Sequence, residues 1–327
     1  MHLNTLIRYK MKVTEHIKKA KGTLFSFEIL PPLKGENIKN LFSHIDPLME
    51  FKPPFIDVTY HREEFVYKNR ENGLLEKKSI RKRPGTVGIC AAIENRYEVD
   101  AVPHIICGGF NREETENALI DLDFLGIDNV LVLQGDAKKN EAMFIPESDG
   151  HKYASDLLGQ VINMNNGKYL DEEIHEPAPT DFCIGIAGYP EKHFTAPNLK
   201  TDMKYLKMKV DNGAGYIVTQ MFFDNSKYFE FVDKCRAADI NVPIIPGIKP
   251  ITTKKQTTVL PRFFHIDLPE DLADEIDNAA DNKAAKQIGV EWCINQSKEL
   301  MNKGVPVLHY YSMGKSDPVY KIAKELF

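Results

Sequence analysis

Eight short apolar runs, spread along the whole chain and separated by longer amphipathic stretches, constrain what this sequence can fold into. The runs are Leu24–Leu30, Phe55–Tyr60, Val102–Cys107, Asn129–Gln134, Phe182–Ala187, Tyr216–Gln220, Ile244–Ile248 and Val307–Tyr311. They are strand-sized, rich in β-branched residues and show little polar alternation, as parallel strands covered on both faces do. Between them Ile38–Phe51, Arg112–Leu125, Asn198–Asn212 and Lys227–Ala238 have helical spacing. Asn111 precedes the second of these and Gly126 sits just past it, while Gly213 follows the third, as caps would. Eight strands alternating with helices over 327 residues predict an α/β fold, a (β/α)₈ TIM barrel, with a doubly wound sheet as the competing topology. Two stretches exceed a minimal barrel. Ala137–Thr180 holds a helix over Ala154–Asn165 and a polar segment, Asn166–Thr180, and Asp267–Lys303 holds extra helices before the last strand. Neither has linker composition, so the expected organisation is a helical N-terminal extension over 1–22 and a single barrel over 23–327.

Within the first run, Ser26–Pro32 reads Ser-Phe-Glu-Ile-Leu-Pro-Pro, and Glu28 is the only charge between Thr23 and Leu30. A carboxylate in such surroundings is costly to desolvate unless it is paired or protonated. Pro31 and Pro32 then end the strand, since neither can donate to a ladder. Two readings stand side by side: a Glu on the wet face of an edge strand, or an acid with a raised pKa placed for proton transfer.

In a barrel, chemistry gathers where strands end and βα-loops begin. Those ends carry Glu28, Thr59-Tyr60-His61, His104, Gln134-Gly135-Asp136, Gly188-Tyr189-Pro190, Thr219-Gln220 and His309-Tyr310-Tyr311, and the opposite ends offer no comparable set. Gly135 would let backbone approach a flat ligand. Asp136 could accept from a ring N–H and an amino group, or simply cap a turn. His104, inside an apolar strand, reads by itself as a core histidine. The Gln220 amide donates and accepts at once, which suits the edge of a heterocycle.

Composition narrows the classes further. With 43% hydrophobic and 27% charged residues and a formal net charge of −5, the chain has no global basic field for nucleic acid. The densest basic run, Lys77-Lys78-Ser79-Ile80-Arg81-Lys82-Arg83, reads as the solvated end of a helix. No apolar run approaches the ~20 residues of a membrane span, and the N-terminus lacks the apolar core of a signal peptide. Five cysteines without C-x-x-C spacing imply reduced thiols in a cytoplasm rather than disulfides or zinc, and no metal is expected. The dinucleotide fingerprint, the P-loop and the nucleophile elbow are all missing. Any grip on phosphate must come from scattered groups such as His193 and Lys209, with helix N-termini.

Taken in order, Ser-Phe-Glu-x-x-Pro-Pro at 26–32, Val-Thr-Tyr at 58–60, Pro-His at 103–104, x-Gly-Asp at 134–136, Tyr-Ala-Ser-Asp-Leu at 153–157, Tyr-Pro-Glu-x-His at 189–193, Lys-Val-Asp-x-Gly-Ala at 209–214, Thr-Gln-x-Phe-Phe-Asp at 219–224 and Pro-Gly-Ile-x-Pro at 246–250 resemble the methylenetetrahydrofolate reductases, in their short bacterial form. The likeness runs from about Thr23 to the C-terminus. It implies a barrel carrying non-covalent FAD, reduced by NADH or NADPH in a ping-pong cycle that turns 5,10-methylenetetrahydrofolate into 5-methyltetrahydrofolate for methionine synthesis. A cytoplasmic homo-oligomer, with no nucleic-acid or membrane partner, is implied as well.

The resemblance also implies roles. Glu28 falls on the acid that protonates N10 of the folate, and Asp136 on the residue that contacts the pterin and tunes the flavin. Gln220 falls on the glutamine that binds folate and nicotinamide alternately, with Gln256 and Lys315 as further substrate contacts. Thr59, Tyr60, His104, Gln134, Gly135, Asp136, Tyr153, Ala154, Tyr189, His193, Ala196, Asp202 and Lys209 fall on cofactor-binding positions. Departures bear on redox potential, folate-tail contacts and nicotinamide choice. Gln134 and Lys315 stand where Arg is common, His61-Arg62-Glu63-Glu64 replaces a small Gly-containing loop, and Asn166–Thr180 is longer than usual. The pKa of Glu28 is expected to depend on neighbours such as Asp136 and Gln134. Two rival readings are a non-redox pterin-binding barrel and a catalytically silent binding subunit.

Overall fold

The computed structural model describes residues 10–33, 35–62, 64–80, 83–137, 141 and 143–327. Residues 1–9 of the expected N-terminal extension, Glu63 of the 61–64 loop, Arg81 and Lys82 of the basic run, and 138–140 and 142 of the long loop lie outside the described residues.

Helix α1 (Val13–Lys19) leads into β1 (Leu24–Ile29), α2 (Ile38–Ile45) with a 3₁₀ turn over Asp46–Phe51, and β2 (Phe55–Val58). A hairpin of β3 (Glu64–Asn69) and β4 (Leu75–Ile80) follows. The alternation then resumes with α3 (Thr86–Tyr97), β5 (Asp100–Ile106), α4 (Arg112–Phe124), β6 (Asn129–Leu133), α5 (Ala154–Asn165), β7 (Cys183–Gly188), α6 (Leu199–Asp211), β8 (Tyr216–Thr219) and α7 (Asn225–Ala237). The chain finishes with β9 (Ile244–Ile245), β10 (Gly247–Ile248), α8 (Gln256–Phe264), α9 (Glu270–Asn278), α10 (Asn282–Asn302), β11 (Val307–Tyr311) and α11 (Ser316–Leu326).

Every strand but β3 and β4 runs parallel in one sheet, in the order β10-β11-β1-β2-β5-β6-β7-β8-β9. Its two end strands are halves of one stave, broken at Pro246, which has no N–H to give the ladder. β9 pairs with β8, and β10 pairs with β11. The break is stitched on both sides: Gly247 N donates to Thr219 Oγ1 at 3.0 Å, and His309 N donates to the Pro246 carbonyl at 3.2 Å. Counting the broken stave once closes a ring of eight, the (β/α)₈ barrel that the alternation predicted.

Alternate strand residues fill two different cores. Phe25, Phe27, Ile29, Ile56 and Val58 face the surrounding helices, whereas Phe55, Val102, Leu131, Cys183, Tyr216, Val218, Ile245 and Val307 pack inside the barrel. Gly185 makes room for the fully buried Tyr216 ring, because a Cβ there would lie 2.3 Å from it. The bottom of this interior is sealed by α1. Val13, fully buried, packs into the inner cluster. Asn129 holds the segment at two points, accepting from Val13 N at 2.8 Å and donating to the Met11 carbonyl at 3.0 Å. Asp100 accepts from Met11 N at 3.2 Å and pairs with His16 Nε2 at 2.6 Å. The N-terminal strand ends therefore do carry a polar set, contrary to the sequence reading, and its task is to anchor α1.

Three local expectations are corrected. Ile38–Phe51 is not one helix, because Pro47 tightens the chain into a 3₁₀ turn after Ile45. The expected strand over Val102–Cys107 starts two residues earlier and ends at Ile106. Lys77 and Lys78 belong to a strand rather than a helix end, since Asn72-Gly73, with Gly73 at φ +77°, turns the chain back so that Glu64 to Asn69 pair antiparallel with Ile80 to Leu75. The Asn-Gly signal was present in the sequence.

Removing the α1 anchor should weaken the whole domain. Asn129→Ala leaves a buried N–H and a carbonyl unpaired, and is expected to cost about 2–3 kcal/mol. The urea midpoint should fall accordingly, and an unchanged midpoint would show that α1 does not depend on Asn129.

Candidate active site

The parallel register sets Glu28 of β1 beside Tyr311 of β11 on one side and Asp57 of β2 on the other. His104 follows one strand further round on β5, two residues past Val102, which pairs with Asp57. All four lie at the C-terminal mouth, and Glu28 is 8% exposed, so the edge-strand reading fails. Beneath them a chain of polar groups runs into the barrel. His104 Nε2 lies 3.4 Å from Asp57 Oδ2 and 3.8 Å from Glu28 Oε2. Asp57 Oδ1 is 3.9 Å from His309 Nδ1, which in turn shares a 2.9 Å hydrogen bond with Ser26 Oγ. The Ser312 hydroxyl donates to the Glu28 carbonyl at 2.6 Å and fixes the strand end that presents the acid.

Burial dominates the electrostatics. It pushes the Glu28 carboxyl up to about 7, against the pull of His104, with Asp57 adding to the rise and Lys249 opposing it. Burial alone would lower His104, but its hydrogen bond to Asp57 and the charges of Glu28 and Asp57 outweigh that and raise it. His309 is lowered by burial, with Asp57 opposing. The neighbours that tune Glu28 are thus His104, Asp57 and Lys249, not Asp136 and Gln134 as expected from sequence. Asp136 is exposed, and the Gln134 amide donates to the Lys152 carbonyl at 2.8 Å.

A second cluster lines the loop after β7. His193 N donates to Asp202 Oδ2 at 2.8 Å, and the Tyr189 ring meets the His193 ring edge-on at 4.5 Å. Lys192 Nζ donates to the Ala196 carbonyl at 2.6 Å, closing the turn that holds Ala196. Lys209 reaches back from α6 to within 3.5 Å of the Ala187 carbonyl, and burial lowers its ammonium to about 8, with Asp202 opposing. Burial also lowers His193, again with Asp202 opposing. A lysine, a histidine and a carboxylate so arranged suit a phosphate with a neighbouring hydroxyl. Tyr189 also feels the charges of Asp202 and Asp136, which ties this cluster to the end of β6.

The end of β6 joins the start of α5 through the Gln134–Lys152 bond, bringing Gly135 and Asp136 near Tyr153 and Ala154 at a helix N-terminus. Gly135 sits at φ +82° with Ile106 against its open side, so a side chain there would be strained. Thr59 is held by its N–H and hydroxyl, which donate to the Ile29 carbonyl at 3.1 and 3.3 Å, and the Tyr60 ring lies 4.7 Å from Phe110. Gln220 is anchored by its N–H to the Gly188 carbonyl at 2.8 Å, while its side-chain oxygen accepts from Met221 N. Gln256 stands apart: its side-chain oxygen accepts from Thr252 N and Thr253 N of its own loop, and none of its hydrogen bonds reaches the other site residues. Lys315, exposed at the start of α11, is felt electrostatically by Lys249.

Two buried charges in this mouth escaped the sequence reading, Asp57 and Lys249, at 1% and 4% exposure. Each is the lone charge of an apolar run, the same signal that singled out Glu28.

A family model for methylenetetrahydrofolate reductase matches residues 12–327. Methylenetetrahydrofolate reductase 1 of Schizosaccharomyces pombe is 33% identical over 92% of this chain and 45% of its own length. The 5,10-methylenetetrahydrofolate reductase of Escherichia coli is 31% identical over 92% of this chain and 90% of its own. The chain spans about half the length of the eukaryotic relatives and most of the bacterial ones. Among solved structures, an uncharacterised Clostridium thermocellum protein that binds two copies of 5-methyl-5,6,7,8-tetrahydrofolic acid superposes with a TM-score of 0.57 at 15% identity, covering 95% of this chain and 96% of that one.

The fold holds the Glu28 carboxyl above its unfolded value of 4.5, at about 7, so between these values the folded protein binds more protons than the unfolded chain. This contribution is fully present below the unfolded pKa and is lost as pH rises through the folded one. Glu28→Gln removes the charge that the site disfavours. The variant should therefore exceed wild type in stability by up to ~3 kcal/mol at about pH 8 and lose that advantage toward about pH 4, as urea unfolding at both ends would show.

Proposed function

The chain belongs to the methylenetetrahydrofolate reductase family, and from that premise we propose that it reduces 5,10-methylenetetrahydrofolate to 5-methyltetrahydrofolate with NADH or NADPH, by way of bound FAD. The observation that carries this reading is Glu28, a buried acid whose carboxyl sits near 7 at the barrel mouth and so holds a proton it can give at neutral pH.

In this reading Glu28 donates that proton to N10 of the folate. The C–N10 bond breaks with its electron pair going to N10, and the N5 lone pair forms the iminium that accepts hydride. His104, 3.8 Å away, and Lys249 offset the negative charge left on the carboxylate. Asp136 orients the pterin by accepting from its ring N–H and amino group. The Gln220 amide binds the folate and the nicotinamide in turn, which makes the cycle ping-pong. Lys209, His193 and Asp202 would hold the phosphate and hydroxyl groups of FAD, and Tyr189, Ala196, Tyr153, Ala154, His104, Gln134, Gly135, Thr59 and Tyr60 would supply its further contacts. Bound FAD supplies a two-electron carrier between nicotinamide and folate. Lys315 and Gln256 serve the outer part of the substrate.

Glu28→Gln is the direct test. The purified variant should still be yellow and its flavin should still be bleached by NADH, while methylenetetrahydrofolate turnover falls by roughly 10²–10⁴-fold, the usual loss for a missing general acid. Turnover near the wild-type rate would remove Glu28 from the mechanism, and a colourless protein that takes up no FAD would remove the flavin.

A further inference from the structure

Position 249 is the residue that the Pro-Gly-Ile-x-Pro run leaves open, and in this chain it is a lysine at 4% exposure. Its place follows from the ladder. Gly247 and Ile248 pair with His309 and Tyr310, so Lys249 comes level with Tyr311, which itself pairs with Glu28. Side chains alternate along a strand, so Lys249 points to the same side as Gly247, whose open side faces the Tyr311 hydroxyl and the Thr219 carbonyl inside the barrel. Two strand spacings, about 10 Å of backbone, separate Lys249 from Glu28, a gap that two side chains can span.

The backbone beneath Lys249 is clamped. Gly247 and Pro246 are bonded to the neighbouring strands, Pro250 follows, and α10 lies so close that a Cβ on Gly289 would be 2.0 Å from the Ile251 carbonyl oxygen. The backbone that carries the lysine is therefore held in register with Tyr311. A buried ammonium is costly unless charge compensates it. Among the described residues it makes no hydrogen bond; burial lowers its ammonium to about 8, with Glu28 first and then Cys293 opposing that fall and Lys315 adding to it, so at neutral pH it is still charged and Glu28 is the carboxylate whose charge it feels. Among the described residues, the charges that act on Glu28 come from Asp57 of β2, His104 of β5 and Lys249 beyond β10; Tyr311 of β11 pairs with it in the ladder and feels its charge, and Ser26 and His309 lie below.

We propose that Lys249 is the counter-charge of Glu28, a positioning residue whose ammonium stabilises the carboxylate that remains once Glu28 has handed its proton to the substrate nitrogen. This rests on the acid role proposed for Glu28. Without the ammonium, the O–H bond of Glu28 breaks less readily and the proton stays on the carboxyl to higher pH.

The test titrates Glu28 directly. In the FAD-loaded protein, the infrared carbonyl stretch of a protonated carboxyl that disappears in E28Q is followed against pH in wild type, K249M and K249R. The midpoint should rise in K249M by about one pH unit, a tenfold change in the ionised fraction, and return toward wild type in K249R. The alkaline limb of the folate half-reaction should move the same way. K249M, losing a buried charge, should be at least as stable to urea; should it fail to fold, K249Q gives the same titration. An unmoved midpoint in folded K249M or K249Q overturns the proposal. If instead the midpoint moves while E28Q still turns over folate, the charge pair stands and the acid role of Glu28 falls.

Discussion

Closing eight parallel staves into a ring leaves one shared interior, and the side chains that point inward must both fill it and satisfy one another. In this protein the lower interior is apolar and sealed by α1, whereas the upper interior collects Ser26, Glu28, Asp57, His104, His309 and Lys249 from five separate stretches of chain. None of these polar groups could be buried singly. The ring makes each a neighbour of the next, and the set ends at the mouth of the barrel.

The electrostatic consequence is a graded stack. Asp57, level with Glu28 on the next strand, is flanked by two histidines, one raised and one lowered. Burial raises Glu28 and the positive charge around it only partly offsets that, leaving it neither fully ionised nor firmly protonated, the condition a proton donor needs near neutrality. The second cluster, around His193, Asp202 and Lys209, follows the same logic with the sign reversed: two bases held low by burial beside one carboxylate, ready for an anion.

Much of this was legible in the chain itself. The eight runs predicted the staves, and seven of the eight form unbroken strands with ends within two residues of the runs; the eighth is broken where Pro246 removes a donor, and the Thr219 side chain accepts from Gly247 N at the break. Glu28 stood out as a lone charge in an apolar strand, and Asp57 and Lys249 carried the same mark. Both stand at or beside quoted motifs, Lys249 as the variable position of Pro-Gly-Ile-x-Pro and Asp57 just before Val-Thr-Tyr, so the motifs themselves do not mark them. The hairpin over β3 and β4 follows from Asn72-Gly73 and not from the lysines after it, whose charge suits a solvated strand as well as a helix end.

The sequence by itself determined the alternation of elements and the family, because these depend on periodicity and on residues close together in the chain. Only the tertiary structure decided which charges face one another. Asp136 and Gln134, adjacent to the motif glycine, turned out not to tune Glu28, while Asp57, His104 and Lys249, far apart in sequence, do. The physical reason is that burial and Coulomb interactions depend on distance through space, and in a closed barrel that distance is set by strand register rather than by separation along the chain.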